Sequence, residues 1–464
     1  MRISVFSSMA ANDFGASAKG QCMGWLSGLF QRDQKADEVD EADDDVILPA
    51  SAPRSRRKIL PRFRGSAVDQ IRSGTKAQDH IRLRLRSAFT PSRPIMDATM
   101  FAGRTKLLES LIRSIEDQQM HLVLFGPRGI GKTSALHVLC SIAQEARYVV
   151  RYISCGERTD FPELFRAILN DIPLLYHENY DPTSDEIEDG LNFGHLLPDA
   201  PLTVAALSDV LAKISGTRLL IVLDEFDRAH GAEFRRSIAE LIKNLSDRGS
   251  RVQLVIAGVA QNLNEIIEHI PSIRRNIIGI QLPNMAAEEI AELIANGQAE
   301  SGMEFAQARR LIADVALGLP YLASLISQHA GLAALERDDS QVSPADVETA
   351  IGRAVEEIEL RIAPANRHQI DRAFAEGRER ELGLLSRVAL QNSGRLDDMH
   401  VHEAIDLKVP AQDYLQSLSD LYGLIAPIND DPRDAYAFVD DGVPVYLWMR
   451  LMQDHVLRDL VMQS

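Results

Sequence analysis

One stretch constrains the fold more than any other part of the chain: HLVLFGPRGIGKTSAL, residues 121–136. The apolar run HLVLF predicts a buried strand, and the pattern SALHVLCSIAQEA after the glycines predicts a helix. Between them lies a glycine-rich loop that fits the spacing G-x-x-x-x-G-K-[ST] through Gly126, Gly131, Lys132 and Thr133. A strand, such a loop and a helix in this order predict a phosphate-binding loop.

Glycines suit this loop because phosphate oxygens need several donors that converge at short range. Backbone N–H groups supply them only where the chain wraps tightly, and glycine has no Cβ to stand between the backbone and a phosphate. The helix that begins at Lys132 points its positive dipole end at the same anion. We expect Lys132 to reach the β- and γ-phosphates of ATP and the Thr133 hydroxyl to bind Mg²⁺. The predicted nucleotide-binding residues of the loop are Gly126, Pro127, Arg128, Gly129, Ile130, Gly131, Lys132, Thr133 and Ser134.

A partner for the metal follows in LLIVLDEFD, residues 219–227, another apolar run that ends in acids. Ligands of open α/β sheets bind beyond the carboxyl ends of the strands, so Asp224 can approach the Mg²⁺. Glu225 is predicted to be catalytic, because it is placed to polarise a water for in-line attack on the γ-phosphate. The alternative interpretation of Glu225 is an ordinary surface acid at the end of a strand.

Apolar strands alternate with helical patterns along the first half of the chain. Strands are predicted at HLVLF, YVVRYISC, RLLIVLDEFD, RVQLVIAG and IIGIQL. This alternation predicts an α/β P-loop NTPase fold, a parallel sheet with helices on both faces. The segments that follow have helical spacing and predict an all-α domain. The predicted divisions are an arm at 1–95, the α/β core at 96–283, a helical lid at 284–363 and a winged-helix-like domain at 366–464.

The loop GPRGIGKT and the strand LIVLDEFD resemble those of the AAA+ and STAND branch of P-loop ATPases. MFAGRTKLLESL resembles the box F-x-G-R-x-x-x-L that precedes the loop in STAND and origin-recognition-type ATPases, where it lies near the adenine. LGLPYLASLI resembles the G-x-P motif of their helical lid. The resemblance spans residues 97–340. It implies that Phe101, Gly103 and Arg104 border the base and that Pro320 contacts it from the lid.

Two positions depart from the family pattern: the end of the fourth strand, and the lid, which lacks an evident sensor arginine beside Pro320. The family implies a polar residue at the end of the fourth strand that senses the γ-phosphate, and here only Gln261 or Asn262 can take that part. It also implies an arginine finger before the fifth strand, where Arg274 and Arg275 stand. Such a finger stabilises charge in the transition state and is often supplied by a neighbouring subunit. The alternative is that both are ordinary surface arginines. These departures predict slow hydrolysis and a switch rather than a fast motor.

Residues 380–450 resemble the winged-helix domain that often follows this ATPase core. Its three helices would be ERELGLLSRVAL, HVHEAIDL and PAQDYLQSLSDLYGLI, and its wing would be YAFVDDGVPVYLW, residues 436–448. The candidate recognition helix has Asp413 and Asp420 but no Lys or Arg. Residues 366–464 hold ten Lys and Arg against seventeen Asp and Glu. Because DNA binding needs cations for the phosphates, we interpret this domain as a protein-contact or autoinhibitory element.

Charge is unevenly distributed along the N-terminal arm. The whole chain has a net charge of −17, which argues against a protein that coats nucleic acid over its entire surface. Residues 31–48 hold eight acids, and residues 51–86 then hold eleven Lys and Arg against two Asp. Such blocks predict a poorly ordered, solvated arm, with DNA binding through residues 51–86 as the alternative. DHIRLRLRS alternates apolar and basic residues, which is compatible with an edge strand or a short amphipathic element.

Composition also bears on the compartment. No apolar run has the length of a membrane span, so no membrane contact is expected. CMGWLSGLF is too short for a span and no small-residue cleavage site follows it. Cys22, Cys140 and Cys155 lack metal-ligand spacing and suit a reducing compartment. We therefore predict a cytoplasmic protein.

Together these features predict an ATP-binding, slowly hydrolysing molecular switch that uses Mg²⁺ and acts with a protein partner or with further copies of itself. The rival hypothesis is a DNA-associated ATPase of the replication-initiation or transposition-helper type, which would bind DNA through its basic arm. A nucleotide-binding scaffold that never hydrolyses is the third hypothesis.

Overall fold

A five-stranded parallel sheet forms the core of the protein. The computed structural model describes residues 77–96, 98–179, 190–198, 200–260, 263, 266, 273–428 and 434–454. The strands are β1 (His121–Phe125), β2 (Val149–Ser154), β3 (Leu219–Asp224), β4 (Val252–Gly258) and β5 (Ile277–Gln281). Their order in the sheet is β2-β3-β4-β1-β5, and each neighbouring pair is parallel. The carboxyl ends of β1, β3 and β4 therefore meet at one edge.

Both faces of this sheet are buried. In β1, Leu122 and Leu124 belong to one buried cluster, whereas Val123 and Phe125 belong to another. Because successive residues of a strand point to opposite faces, a near-continuous apolar run in each strand is what a doubly covered sheet requires. The predicted α/β fold with helices on both faces is confirmed.

Helices precede the sheet and connect its strands. They are α1 (Ala77–Ala88), α2 (Thr105–Glu116), α3 (Lys132–Glu145), α4 (Phe161–Asn170), α5 (Val204–Leu211) and α6 (Ala232–Asp247). Their starts follow local capping rules: the Asp160 side chain accepts a hydrogen bond from the Glu163 N–H at α4, and the Thr203 side chain accepts one from the Ala206 N–H at α5. In the part of the chain that the structure describes, no helix is long and apolar enough to cross a membrane.

After β5 the chain forms the four helices of the lid: α7 (Ala287–Ser301), α8 (Arg309–Ala316), α9 (Pro320–Glu336) and α10 (Pro344–Glu359). Pro320 and Pro344 stand in the first turns of α9 and α10, where a missing N–H removes no helical hydrogen bond. The expected run of helices after the core is thus observed.

The C-terminal part combines helices with a small antiparallel sheet. Its elements are α11 (Pro364–Ala375), α12 (Glu379–Gln391), β6 (Arg395–Leu396), α13 (Asp398–Ala404), α14 (Ala411–Tyr422), β7 (Ile425–Pro427), β8 (Tyr436–Phe438) and α15 (Gly442–Gln453). The sheet order is β6-β8-β7. Three helices on such a sheet are the arrangement of a winged-helix domain, and the three predicted helices correspond to α12, α13 and α14.

The predicted wing is wrong over most of its length. Of residues 436–448, only Tyr436–Phe438 form a strand, and α15 begins at Gly442. The run VPVYLW resembles a strand in sequence, but it lies in α15, a helix whose residues are mostly buried. Pro444 lies in the first turn of α15, where proline is tolerated. The connection between antiparallel strands is instead the one that joins β7 to β8.

The predicted poorly ordered arm is wrong for its last part, because residues 77–88 form α1 and pack on the lid. Leu85 and Phe89 are fully buried. A Cβ added to Gly331 of α9 would lie 2.7 Å from both Leu85 methyl groups, and one added to Gly297 of α7 would lie 2.1 Å from Phe89 Cζ. Two helical glycines of the lid thus make room for the side chains of α1. Of the two alternatives for DHIRLRLRS, an edge strand or a short amphipathic element, the structure shows an amphipathic helix.

We expect Gly297→Ala to lower the free energy of unfolding by about 1–3 kcal/mol, because its methyl group would displace the buried Phe89 ring. Gly352→Ala in α10 is the matched control, since the nearest atom to its added Cβ is 3.7 Å away. Removing a helical glycine there should stabilise the protein by about 0.5–1 kcal/mol. Chemical denaturation measures both. Equal stability of the two variants would contradict the packing of α1 against this glycine.

Candidate functional site

The loop after β1 is closed by glycines with unusual backbone angles. Gly126, Gly129 and Gly131 have φ values of 150°, 78° and 93°, a region that favours glycine. A Cβ on Gly131 would lie 3.0 Å from a guanidinium nitrogen of Arg104 and 3.5 Å from Pro320 Cγ. The glycines therefore let the backbone turn tightly and let other elements approach it closely.

Lys132 lies inside this loop. Its Nζ donates hydrogen bonds to the carbonyl oxygens of Gly126 at 2.8 Å and Pro127 at 2.9 Å, and the residue is 8% exposed. Burial lowers the pKa of Lys132 to about 8, and the carboxylates of Asp227 and Asp224 oppose this shift. The ammonium group thus points into the concave side of the loop, next to two acids.

Asp224, at the end of β3, is joined to the helix that follows the loop. The Thr133 hydroxyl donates to Asp224 Oδ2 at 2.8 Å, and the Tyr152 hydroxyl donates to the same oxygen at 2.6 Å. The Glu225 N–H donates to Asp224 Oδ1 at 2.8 Å. Asp224 is 3% exposed. The structure therefore brings the two predicted metal-binding residues, Thr133 and Asp224, into direct contact.

Glu225 has a left-handed backbone, with a φ of 51°, and a carboxylate that is already hydrogen-bonded. Its Oε2 accepts from the Ser154 hydroxyl at 2.9 Å and from the Arg228 guanidinium at 2.9 Å. The side chain is 46% exposed. Ser154 is the register partner of Asp224 across the β2–β3 ladder, which is why its hydroxyl reaches the next residue.

Gly103 and Arg104, which precede α2, contact the loop and the residues that follow β5. Arg104 donates through its guanidinium to Ile130 O at 2.5 Å and to Pro283 O at 3.0 Å, and its backbone N–H donates to Glu289 Oε1 at 2.6 Å. Burial lowers the pKa of Arg104 to about 10. A Cβ on Gly103 would lie 2.7 Å from Glu289 Cβ. The Arg104 side chain thus ties the loop to the start of the lid.

The lid covers the loop through the start of α9. A Cβ on Gly129 would lie 3.2 Å from Tyr321 Cβ, which places the second residue of α9 against the loop backbone. Gly318 has a φ of 75°, and a Cβ there would lie 2.5 Å from Met285 O. Ser134, in the first turn of α3, accepts a hydrogen bond from the Ile95 N–H at 3.1 Å. Of the residues implied to border the base, Phe101 is half-buried and follows the turn at 98–100.

The remaining predicted positions lie elsewhere. Gln261 and Asn262, the sensor candidates, lie outside the described residues. Arg274 and Arg275 are exposed and precede β5, beside Asn276, whose carbonyl accepts from the His121 N–H at the start of β1. Because the strands are parallel, these arginines occupy the edge of the sheet opposite to the loop. They do not join the site of their own chain.

Sequence reasoning missed three residues near the loop. Tyr152 contacts Asp224 from β2, and only the pairing of β2 with β3 could have revealed it. Asp227 accepts a hydrogen bond from the Val259 N–H at 2.8 Å, after β4. Asp441 comes from the C-terminal domain: burial raises its pKa, and the charges of Lys132 and Arg128 oppose this shift. Asp227 is part of the acidic run DEFD after β3, whereas no sequence pattern indicated Tyr152 or Asp441.

A sequence model of the family described as Novel STAND NTPase 1, nSTAND1, matches residues 88–376. No curated protein matches the chain significantly. Among solved structures, the chain is similar to Cdc6 from Pyrobaculum aerophilum, with 16% identity and a TM-score of 0.42 over 82% of this chain and 98% of that chain. It is also similar to a Walker-type ATPase of Pyrococcus abyssi, with 14% identity and a TM-score of 0.45 over 78% and 99%. TM-scores of this size carry no inference about activity.

The lowered pKa of Lys132 predicts that nucleotide binding takes up protons at alkaline pH. Phosphate oxygens favour the charged ammonium, so binding raises a pKa that lies at about 8 in the free protein. We expect little uptake at pH 7.5, close to one proton at pH 9.5, and affinity that falls between these values. Calorimetry in two buffers of different ionisation enthalpy measures the uptake. Lys132→Arg is the control, because arginine stays charged throughout. Uptake that is the same in both proteins would contradict the assignment.

Proposed function

The chain belongs to the novel STAND NTPase 1 family, whose model matches more than half of its length, and from this we propose that it is an ATP-dependent molecular switch. The resemblance to STAND ATPases that the motifs indicated is thereby confirmed. The proposal specifies ATP as the nucleotide, Mg²⁺ as the metal and slow hydrolysis as the reaction. Different residues support each of these three parts.

One contact carries the proposal: the 2.8 Å hydrogen bond from the Thr133 hydroxyl to Asp224 Oδ2, between residues 91 positions apart. It joins the helix after the glycine loop to the end of another strand, at the edge where an open α/β sheet binds ligands. Lys132 lies beside it and donates hydrogen bonds to two carbonyl oxygens of the loop. With a triphosphate in the loop, the ammonium would exchange these carbonyls for phosphate oxygens, and the loop N–H groups would bind the rest.

The residues present fit a magnesium ion. In nucleotide sites Mg²⁺ keeps several waters and takes one or two protein oxygens together with phosphate oxygens. Thr133 and Asp224 supply a hydroxyl and a carboxylate, whereas the described residues contain no group of three or more His, Cys, Asp or Glu that could hold a metal alone. When bound, the ion would neutralise charge on the phosphates. Thr133 would ligate it and Asp224 would orient its surroundings.

Glu225 is the proposed base for hydrolysis. Its carboxylate would accept a proton from the water that attacks the γ-phosphate, and the leaving group is ADP. Ser154 and Arg228 both donate to Glu225 Oε2 and hold the carboxylate in place. A carboxylate has two acceptor oxygens, so Oε1 would be the oxygen that accepts the proton of the water. Arg275, with Arg274, could serve as a finger only for the nucleotide of another copy, so self-association belongs to the proposal.

The switch itself would consist of the lid and the C-terminal domain. The Asn284 amide donates to Leu317 O at 2.9 Å, before α9, and to Leu390 O at 2.7 Å, in α12. Trp448 Nε1 of α15 donates to Val315 O of the lid at 2.8 Å. Movement at the start of α9, which lies on the loop, would therefore reach the C-terminal domain. The acidic surface of that domain supports a protein partner rather than DNA.

We expect Lys132→Ala to abolish ATP binding, because the loop loses its only ammonium. Glu225→Gln should keep ATP affinity within about twofold and lower turnover by at least about 100-fold. Fluorescent-nucleotide binding and phosphate release measure the two effects. Glu240→Gln, an exposed acid on α6, is the matched control and should behave as the unaltered protein. Equal turnover of Glu225→Gln and Glu240→Gln would refute the role of Glu225.

A DNA-associated ATPase is the second candidate, and one observation favours it. The last part of the basic segment, α1, exposes Arg84 and Arg86 while its apolar face is fixed on the lid. A polyanion bound by residues 51–86 would thus contact a helix, α1, that packs on α9, and the start of α9 lies against the glycine loop. The contact would depend on charge and not on base sequence.

This candidate predicts that duplex DNA binds the full chain with an affinity that falls steeply with salt, by a log–log slope of about −0.9 for each phosphate contacted. Deleting residues 1–76 should weaken binding while leaving α1 on the lid. Fluorescence anisotropy at several salt concentrations measures both. If the full chain has no salt-dependent affinity for DNA, this candidate is wrong.

A further inference from the structure

Three hydrogen-bond donors fix the orientation of the Asp224 carboxylate. Oδ2 accepts from two hydroxyls, Thr133 at 2.8 Å and Tyr152 at 2.6 Å, and Oδ1 accepts from the Glu225 N–H at 2.8 Å. The shortest of the three bonds comes from Tyr152, a residue that neither the glycine loop nor the acidic strand end contains. The other two donors, Thr133 and Glu225, are themselves a proposed metal-binding residue and the proposed catalytic residue. Tyr152 has neither role.

Tyr152 is itself fixed in place. It lies in β2, where its register partner in β3 is Val222. Its ring stacks on the ring of His137 from α3, with the centroids 4.4 Å apart and the planes at 27°. A phenol is protonated at neutral pH, so the hydroxyl of Tyr152 donates to Asp224 Oδ2. Stacking on His137 fixes the orientation of the ring, and this orientation fixes the position of the hydroxyl.

A carboxylate without such donors can turn about its Cβ–Cγ bond and present either oxygen to a cation. Mg²⁺ demands near-ideal octahedral geometry and gives up its waters reluctantly, so it is sensitive to the orientation of nearby carboxylates. Residues that orient a metal-binding group by hydrogen bonding change metal affinity by about 10–100-fold when removed. With Oδ2 shared between Thr133 and Tyr152, the orientation of Asp224 is determined before any metal arrives.

We propose that Tyr152 is a positioning residue for the metal site: its hydroxyl fixes Asp224 Oδ2 opposite the Thr133 hydroxyl and thereby sets the Mg²⁺ affinity of the nucleotide-bound protein. The inference rests on the proposed function of Asp224. It differs from a purely structural role, because the ring of Tyr152 packs on His137 whereas its hydroxyl donates to Asp224. Removing the hydroxyl oxygen alone should leave the packing of the ring intact and weaken the binding of Mg²⁺.

Tyr152→Phe tests this, with Tyr148→Phe as the matched control. Tyr148 directly precedes the same strand, but its hydroxyl donates to Glu116 at 3.3 Å, away from the site. The measurement is binding of fluorescent ATP in EDTA and at increasing Mg²⁺, followed by turnover over the same Mg²⁺ range. We expect Tyr152→Phe to keep the affinity in EDTA and to need about tenfold more Mg²⁺ for half of the metal-dependent gain in affinity. Tyr148→Phe should match the unaltered protein in both.

His137→Ala provides a second variant, which keeps the Tyr152 hydroxyl but frees its ring. It should shift the Mg²⁺ requirement in the same direction by a smaller factor. If Tyr152→Phe has the Mg²⁺ requirement of Tyr148→Phe, the inference is wrong and the proposed function stands. Loss of nucleotide affinity in EDTA would also overturn it, because Tyr152 would then support the whole site. If Mg²⁺ does not change the ATP affinity of the unaltered protein, the metal role of Asp224 fails, and the proposed function fails with it.

Discussion

The rest of the site depends on the hydrogen bonds to one buried carboxylate, that of Asp224. Asp224 is 3% exposed, and an ionised carboxylate in such a place costs several kcal/mol unless hydrogen bonds replace its water. Its donors come from three directions: Thr133 at the start of α3, Tyr152 in β2 and the backbone of Glu225. The charge is tolerated only if these elements keep their positions, so the packing of the sheet and the geometry of the site depend on each other.

The glycines of the loop have two consequences that act together. They allow a backbone approach to phosphates, and the same lack of Cβ atoms lets other elements approach the loop from outside. Gly129 faces Tyr321 and Gly131 faces Arg104 so closely that a Cβ on either glycine would require its neighbour to shift. The lid therefore rests on the binding loop itself. In the proposed switch, a change in the loop on binding phosphate would reach α9 and, through the hydrogen bonds of Asn284, the C-terminal domain.

Local sequence was sufficient where one physical requirement decided the outcome. The five strands of the core could be predicted because burial on both faces demands continuous apolar runs, and the helices because their spacing was clear. It was undecided or wrong where two structures satisfied the same pattern. HIRLRLRS alternates like a strand, yet Leu85 and Phe89 insert beside Gly331 and Gly297 of the lid. VPVYLW also resembles a strand, yet residues 442–453 form a helix against the lid and α12. In both cases the partner surface, distant in sequence, decided.

The sequence by itself determined the glycine loop, the lysine and threonine that follow it, and the acids that end an apolar strand, because each of these depends on chemistry within a short segment. Only the tertiary structure decided which side chains surround them. Tyr152 reaches Asp224 through the register of β2 with β3, and the edge on which Arg275 lies follows from the direction of β5. Asp441 approaches Lys132 because the C-terminal domain packs on the lid. Contacts between distant segments depend on strand order and packing, which no local pattern encodes.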